Sequence, residues 1–160
     1  MNQMIPSSEK VARILNPEWI QDGVLMHEAY HLRVGETYIS VNRPSVSSYD
    51  NDVSDFVRNH PSFSYEGDKY KRSLLGVDDI RNINVVFEGI EAHVNVEVEP
   101  RDVHYKSHAG IFTRFENKNI KNGQLVDVHA EKMVSADSIL LEVRMSLLEI
   151  SSLEECKLSD

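Results

Sequence analysis

The sequence predicts an α+β fold with a largely antiparallel sheet and two main helices, at about residues 48–59 and 138–151. Several short segments alternate apolar and polar residues, as strands with one buried face do. Two longer segments carry apolar residues at the spacing of a helix. No repeat, low-complexity segment or linker divides the sequence, so we expect a single domain over residues 11–152.

Two segments have the clearest strand patterns. In residues 91–98, alanine and valine at every second position alternate with polar residues. In residues 36–43, Ile39 and Val41 share one side of an extended segment, and Arg43 falls on that same side. An arginine on an apolar side either extends its charged end into water or reaches an anion in a pocket. Shorter strands are expected at residues 11–15, 69–75, 83–87 and 111–115.

The two predicted helices differ in how clearly the pattern supports them. The first follows two serines that can cap it, and it places Val53, Phe56 and Val57 on one buried side. Residues 138–151 alternate like a strand but also carry a helical stripe of leucine, valine and isoleucine. The length of this run favours the helix.

The two ends of the chain have polar compositions without a core-forming pattern. Residues 1–10 are expected to be disordered, and residues 153–160 are expected to form a frayed acidic tail.

Composition and charge narrow the classes of function. Hydrophobic residues make up 41% and charged residues 27% of the chain, which is typical of a soluble globular protein. The net charge of −9 argues against general binding to nucleic acid or to an anionic membrane surface, since both need clustered Lys and Arg. A single cysteine permits no internal disulfide, and no segment has the composition of a signal peptide or of a membrane-spanning helix. We therefore expect a cytoplasmic protein.

One motif points to metal chemistry. His27, Glu28 and His31 form the pattern His-Glu-x-x-His, in which two imidazoles on one helix face bind zinc and the glutamate takes a proton from the bound water. Asp52 or Asp55 on the following helix is a candidate third ligand. Two nearby glycines limit the length of any helix here, and the segment also fits an irregular crossing. The alternative interpretation is a pair of half-exposed histidines.

A positively charged stretch suggests a different site. Residues 101–121 hold five basic and two acidic residues, a net +3 in a chain whose total is −9, together with His104 and His108. A locally positive segment on an acidic protein favours a small anionic ligand. His108 is a candidate general acid or base, because imidazole titrates near neutral pH. The alternative is that His108 hydrogen-bonds a loop carbonyl and that Arg43 pairs with a glutamate.

A set of short motifs carries a resemblance that extends over about residues 11–112. The motifs are Arg13 followed by Pro17, the turn Asp22-Gly23, the strand Ser40-Val41-x-Arg43 and the late segment Ser107-His108-Ala109. In this order they resemble a loose set of small bacterial proteins with no assigned activity. The resemblance implies one common site for four residues: Arg13, Ser40, Arg43 and His108. It places the two histidines of the zinc pattern outside the shared positions, and it has no counterpart in the C-terminal third of the chain.

Three hypotheses of function follow from these patterns. The first is binding of a small anionic ligand or a protein partner, with no cofactor, at a pocket lined by the four residues of the resemblance. The second is a zinc-dependent hydrolase that uses the His-Glu-x-x-His pattern. The third is an interaction module in which the helix at residues 138–151 docks on a second copy of the chain or on another protein. The enzyme and the binding-protein hypotheses both remain open at this point.

Overall fold

Twelve strands and three helices lie in the part of the chain that the computed structural model describes, which comprises residues 4–32, 36–87, 89–98, 104–115, 118–121, 124–127, 133–135 and 137–159. The strands are β1 (Lys10–Ile14), β2 (Ile20–Gln21), β3 (Val24–Leu25), β4 (Ile39–Asn42), β5 (Lys69–Gly76), β6 (Asn84–Phe87), β7 (Ile90–Val98), β8 (His108–Phe115), β9 (Lys118–Lys121), β10 (Gln124–Asp127), β11 (Met133–Ser135) and β12 (Ser152–Lys157). The helices are α1 (Tyr49–Asn59), α2 (Val77–Arg81) and α3 (Asp137–Glu149), with short 3-10 helices at Pro17–Trp19, His27–Tyr30 and Pro61–Phe63.

One large antiparallel sheet dominates the fold. Its seven main strands lie in the order β6-β7-β8-β4-β1-β5-β12, and β9, β10 and β11 extend from the end of β8. The longest pairing joins β7 to β8, from Ala92 opposite Phe115 to Val98 opposite Ala109. Every strand pair in the described residues is antiparallel. The α+β class and the antiparallel sheet are as the sequence predicts, although the sheet outweighs the helices.

The sheet is apolar on both faces, and a helix covers each one. On the first face, Ile139, Val143 and Leu147 of α3 pack into the main core with strand residues such as Val41 and Ile111. The residues at alternate positions point to the second face, because successive side chains on a strand point in opposite directions.

On that second face, Tyr49, Val53 and Val57 of α1 pack against Ala12 and Ile14 of β1. The candidate site lies beside α1 on this face.

Helix α1 has an identifiable end as well as an apolar stripe. His60 follows its last turn, and the ring atom Nδ1 lies 2.9 Å from the Phe56 carbonyl oxygen. The carbonyl is an acceptor, so Nδ1 donates, and the ring satisfies a carbonyl that the helix leaves unpaired. Pro61 then begins the next short helix, since proline is tolerated in a first turn but not inside α1.

The structure confirms the two predicted helices, which span Tyr49–Asn59 and Asp137–Glu149. It corrects both predictions for the chain ends. Residues 153–157 are not a frayed tail, because β12 pairs with β5 from Ser152 opposite Leu74 to Lys157 opposite Lys69, and residue 160 lies outside the described residues. The polar composition that suggested a tail belongs to an edge strand, where exposed charges are common.

Residues 1–10 are also more ordered than expected where the structure describes them. Ile5 is 1% exposed, Met4 forms a β-bridge to Glu97, and Lys10 begins β1. A single buried isoleucine among polar residues has no periodicity, which is why the pattern did not predict it.

No helix among the described residues has the length and apolar character needed to cross a membrane.

Candidate functional site

A cleft of about 420 Å³ opens between the C-terminal end of α1 and the sheet face that α1 covers. Its walls come from β1, β4, the region around the end of α1, and the segment that enters β8. The lining residues are Arg13, Ile14, Trp19, Glu36, Ser40, Asn42, Phe56, His60, Phe63, Tyr105 and His108. Three of the four residues that the sequence predicts for an anion site are therefore in one cleft.

Arg13 is held at the cleft by backbone and ring contacts. Its Nε donates to the Ala29 carbonyl oxygen (3.0 Å) and its Nη1 donates to the Ser40 carbonyl oxygen (2.8 Å). Its guanidinium carbon lies 4.8 Å from the centre of the Trp19 ring, within the range of a cation–π interaction. These contacts fix the position of a permanent positive charge at the cleft.

One wall of the cleft is aromatic. The Trp19 and Phe63 rings meet edge to face at 5.8 Å, and Phe63 meets Phe56 in the same way at 5.1 Å. The Phe56 ring then stacks on the His60 ring, with centroids 4.5 Å apart and planes 23° apart. Since Phe56 and His60 are four residues apart, the end of α1 places them on one side of the helix.

The opposite wall is polar and belongs to the sheet. Asn42 lies directly opposite His108 in the β4–β8 pair, so their side chains point to the same face of the sheet. Ser40 is two residues from Asn42 and points to that face as well, opposite Gly110. The Tyr38 ring lies directly over Gly110, where an added Cβ would be 2.6 Å from Tyr38 Cδ2. The Tyr38 ring centroid is 5.9 Å from that of His108. The missing side chain at position 110 therefore lets Tyr38 lie beside His108.

The segment that leads into β8 is anchored on α1 by two carboxylates. Asp52 is 8% exposed, and its Oδ2 accepts hydrogen bonds from Ser48 Oγ (2.9 Å), from Ser107 N (2.9 Å) and from Ser107 Oγ (2.7 Å). Asp55 accepts a hydrogen bond from the Tyr105 hydroxyl at 2.6 Å. These bonds set the position of Tyr105 and of His108, the residue that follows Ser107.

Arg43 does not line the cleft, so the predicted convergence of Arg43 and His108 is wrong. Arg43 follows Asn42, the register partner of His108, and adjacent strand residues point to opposite faces. Its Nε and Nη2 donate to the two carboxylate oxygens of Glu9 at 3.1 and 3.0 Å, and both side chains are 17% exposed. Ser45 also donates to Glu9, at 2.8 Å. The hydrogen bonds from Arg43 hold the pKa of Glu9 below its usual value, and the pairing agrees with the alternative interpretation of Arg43.

The zinc pattern does not have the geometry that its chemistry requires. His27–Tyr30 is a 3-10 helix and His31 follows it in an extended conformation, so the two imidazoles are not one α-helical turn apart on a common face. His27 Nε2 lies 3.5 Å from a Glu28 carboxylate oxygen, and His31 Nδ1 lies 3.1 Å from Arg144 Nη1. Arginine only donates, so this ring nitrogen is an acceptor that already has a partner.

The candidate third ligands of the zinc site, Asp52 and Asp55, have the partners given above. No three His, Cys, Asp or Glu side chains in the described part of the chain are placed to hold a metal ion.

The positive stretch at residues 101–121 is not one loop. Much of it is strand, because β8 begins at His108 and β9 follows at Lys118–Lys121. Arg114 pairs with the buried carboxylate of Glu97 and is not available as a free positive charge. Residues 101–103, 116 and 117 of the stretch lie outside the described residues.

Sequence reasoning did not identify the aromatic wall as part of a site. It assigned Phe56 to the buried stripe of α1, and it placed none of Trp19, His60 and Phe63 in a site. In the structure Trp19, Phe56 and Phe63 are half-buried, and His60 is exposed. The spacing of Phe56 and His60 before a proline was the available signal, since it places both rings at a helix end.

Comparisons with protein-family models, with curated proteins and with solved structures found no match to this chain. The resemblance to small bacterial proteins therefore stays a prediction. The structure brings together three of its four implied site residues and separates Arg43 from them.

Proposed function

We propose that this protein binds a small anionic ligand in the cleft beside α1. The observation that carries the proposal is the fixed guanidinium of Arg13 in the same cleft as His108 and His60. An anion there meets one permanent positive charge, with two imidazole rings beside it. The polar groups of Ser40 and Asn42 lie on the same wall as His108.

The charge pattern supports an anion rather than a cation. Among the charged residues that line the cleft, Arg13 and Glu36 offset each other, so these side chains carry no net charge in a chain that carries −9. A cleft that is less negative than the rest of the protein favours an anion at this place.

The size and composition of the cleft also fit a small molecule. Its volume of about 420 Å³ lies within the range of roughly 300–1,000 Å³ found for small-molecule sites, which combine apolar walls with a few polar groups. Binding of an anion requires no group beyond these side chains. The acid–base role of His108 stays a prediction that depends on the ligand.

The direct test uses Trp19, which is the only tryptophan of the chain and lines the cleft. Its fluorescence is followed while acetate, benzoate, inorganic phosphate and adenosine monophosphate are titrated in turn. We expect a saturable change with at least one anion, together with a rise in melting temperature, because a ligand that binds only the folded state stabilises it.

A matched pair of histidine variants locates the site. His108→Gln should weaken binding by about two- to tenfold, the effect of one lost hydrogen bond. His93→Gln, on β7 with a side chain that is 60% exposed, should leave binding unchanged. Equal effects of the two variants, or no saturable change with any anion of the panel, would remove the proposal.

Self-association through α3 is a second candidate function. Leu141 and Met145 lie one turn apart on α3 and are 40% and 48% exposed, although Val143 between them is buried. Exposed apolar residues in such pairs occur at protein interfaces. Sedimentation at high protein concentration tests this, and a monomer that is unchanged by Leu141→Glu would argue against it.

A further inference from the structure

We infer that the ligand is a planar aromatic monocarboxylate, that is, a flat ring that carries one carboxylate group. This inference rests on the proposed anion site and names the class of its ligand. Two independent features of the cleft lead to it, which are the chemistry of its apolar wall and its limited positive charge.

The apolar wall consists of rings rather than of aliphatic side chains. The chain's only tryptophan and two of its five phenylalanines line the cleft, and Ile14 is the one aliphatic residue in the lining. Trp19, Phe56 and Phe63 are each half-buried, so part of every ring faces the open volume. An aromatic ligand gains a specific stacking or edge-to-face interaction on such a wall in addition to the burial of its area.

The contacts among the rings make this wall rigid. Phe63 lies edge to face with Trp19 on one side and with Phe56 on the other, at interplanar angles of 80° and 67°. His60 is fixed in turn by its hydrogen bond to the Phe56 carbonyl. A wall that is already ordered loses little side-chain freedom when a flat ring binds against it.

The charge of the cleft matches one carboxylate better than a phosphate. Its lining holds one arginine, no lysine and one glutamate. A phosphate dianion would leave negative charge without a partner beside Glu36, and a partly desolvated charge of this kind is costly. A single carboxylate brings less negative charge to the cleft, and guanidinium, imidazole, hydroxyl and amide groups of the lining can donate hydrogen bonds to it.

The experiment compares four molecules of similar size by titration of Trp19 fluorescence in the 160-residue protein. Benzoate has the ring and one charge, and cyclohexanecarboxylate has the charge without the aromatic ring. Benzyl alcohol has the ring without the charge, and phenyl phosphate has the ring with a larger charge. We expect benzoate to bind about three- to tenfold more tightly than cyclohexanecarboxylate, and more tightly than either of the other two.

The variant Phe56→Leu keeps an apolar side chain at the wall but removes the ring. It should abolish the preference for benzoate over cyclohexanecarboxylate, because an aliphatic ligand gains no stacking or edge-to-face interaction from the ring that is lost. Melting temperatures of the same samples confirm that the variant is folded.

The possible failures are distinct. If both carboxylates bind equally, or if phenyl phosphate binds most tightly, the ligand class is wrong and the anion site stands. If benzyl alcohol binds as tightly as benzoate, or if none of the four binds, the anion site fails together with the ligand class.

Discussion

Replacement of Asp52 by alanine tests whether the buried carboxylate on α1 holds the site together. One oxygen of Asp52 accepts three hydrogen bonds, of which two come from the fully buried Ser107. Ser107 precedes His108 in the cleft. The substitution should therefore destabilise the protein and loosen the polar wall at the same time.

The magnitude follows from the groups that lose their acceptor. The backbone N–H and the hydroxyl of Ser107 would both remain buried without Asp52, and each unsatisfied donor costs about 1–3 kcal/mol. Part of this cost is offset because the variant no longer buries a charge. We expect a loss of about 3 kcal/mol in the free energy of unfolding, which lowers the melting temperature of a chain of this size by about 6–12 °C.

The matched control is Asp50→Ala in the first turn of the same helix. Asp50 is exposed, and both variants remove one negative charge near the helix N-terminus. The difference between them in urea unfolding measures the three hydrogen bonds that Asp52 accepts, of which two come from Ser107. A difference below about 1 kcal/mol would refute the reasoning, as would unchanged anion binding by Asp52→Ala.

Three further predictions concern pH and packing. The hydrogen bonds from Arg43 lower the pKa of Glu9 below 4.5. The ion pair therefore stabilises the protein above pH 4.5, and this stabilisation is lost as the pH falls through the pKa of Glu9 in the folded state. In Glu9→Gln, acid unfolding followed by circular dichroism should be less steep than in the original chain. Burial raises the pKa of Tyr65 to about 12. The stabilisation of the folded state by the neutral Tyr65 side chain is therefore complete below pH 10 and is lost as the pH rises towards 12. In Tyr65→Phe, the free energy of unfolding should fall less steeply at alkaline pH. Gly110→Ala should destabilise the protein by about 1–3 kcal/mol in urea unfolding, because the new methyl group overlaps the Tyr38 ring, and a stability equal to the original would contradict the close approach.

The regular parts of the fold were predictable because their patterns are local. The alternation in residues 91–98 corresponds to β7, in which Ala92, Val94 and Val96 are all buried. The helical stripe of α3 was likewise visible in consecutive turns. Each pattern reports which face of one element is apolar, and that depends on neighbouring residues in the sequence alone.

The candidate site was only partly predictable because it depends on pairing between distant segments. The sequence correctly placed Arg43 on the apolar side of its strand. It could not show that Glu9 lies on the same face of the sheet, where it pairs with Arg43. It also grouped His108 with the cations of residues 101–121, although His108 starts a strand whose partner is Asn42. Strand register is a non-local property, and it decides which of these side chains can meet.

The β4–β8 register is therefore the feature on which the candidate site depends. A shift by one residue would turn Arg43 towards the cleft and Asn42 away from it, since such a slip moves every side chain to the other face. The apolar residues of β4 oppose this shift, because Ile39 and Val41 would leave the main core. The close approach of the Tyr38 ring to Gly110 belongs to the same register. That register directs His108 into the cleft and leaves Arg43 paired with Glu9.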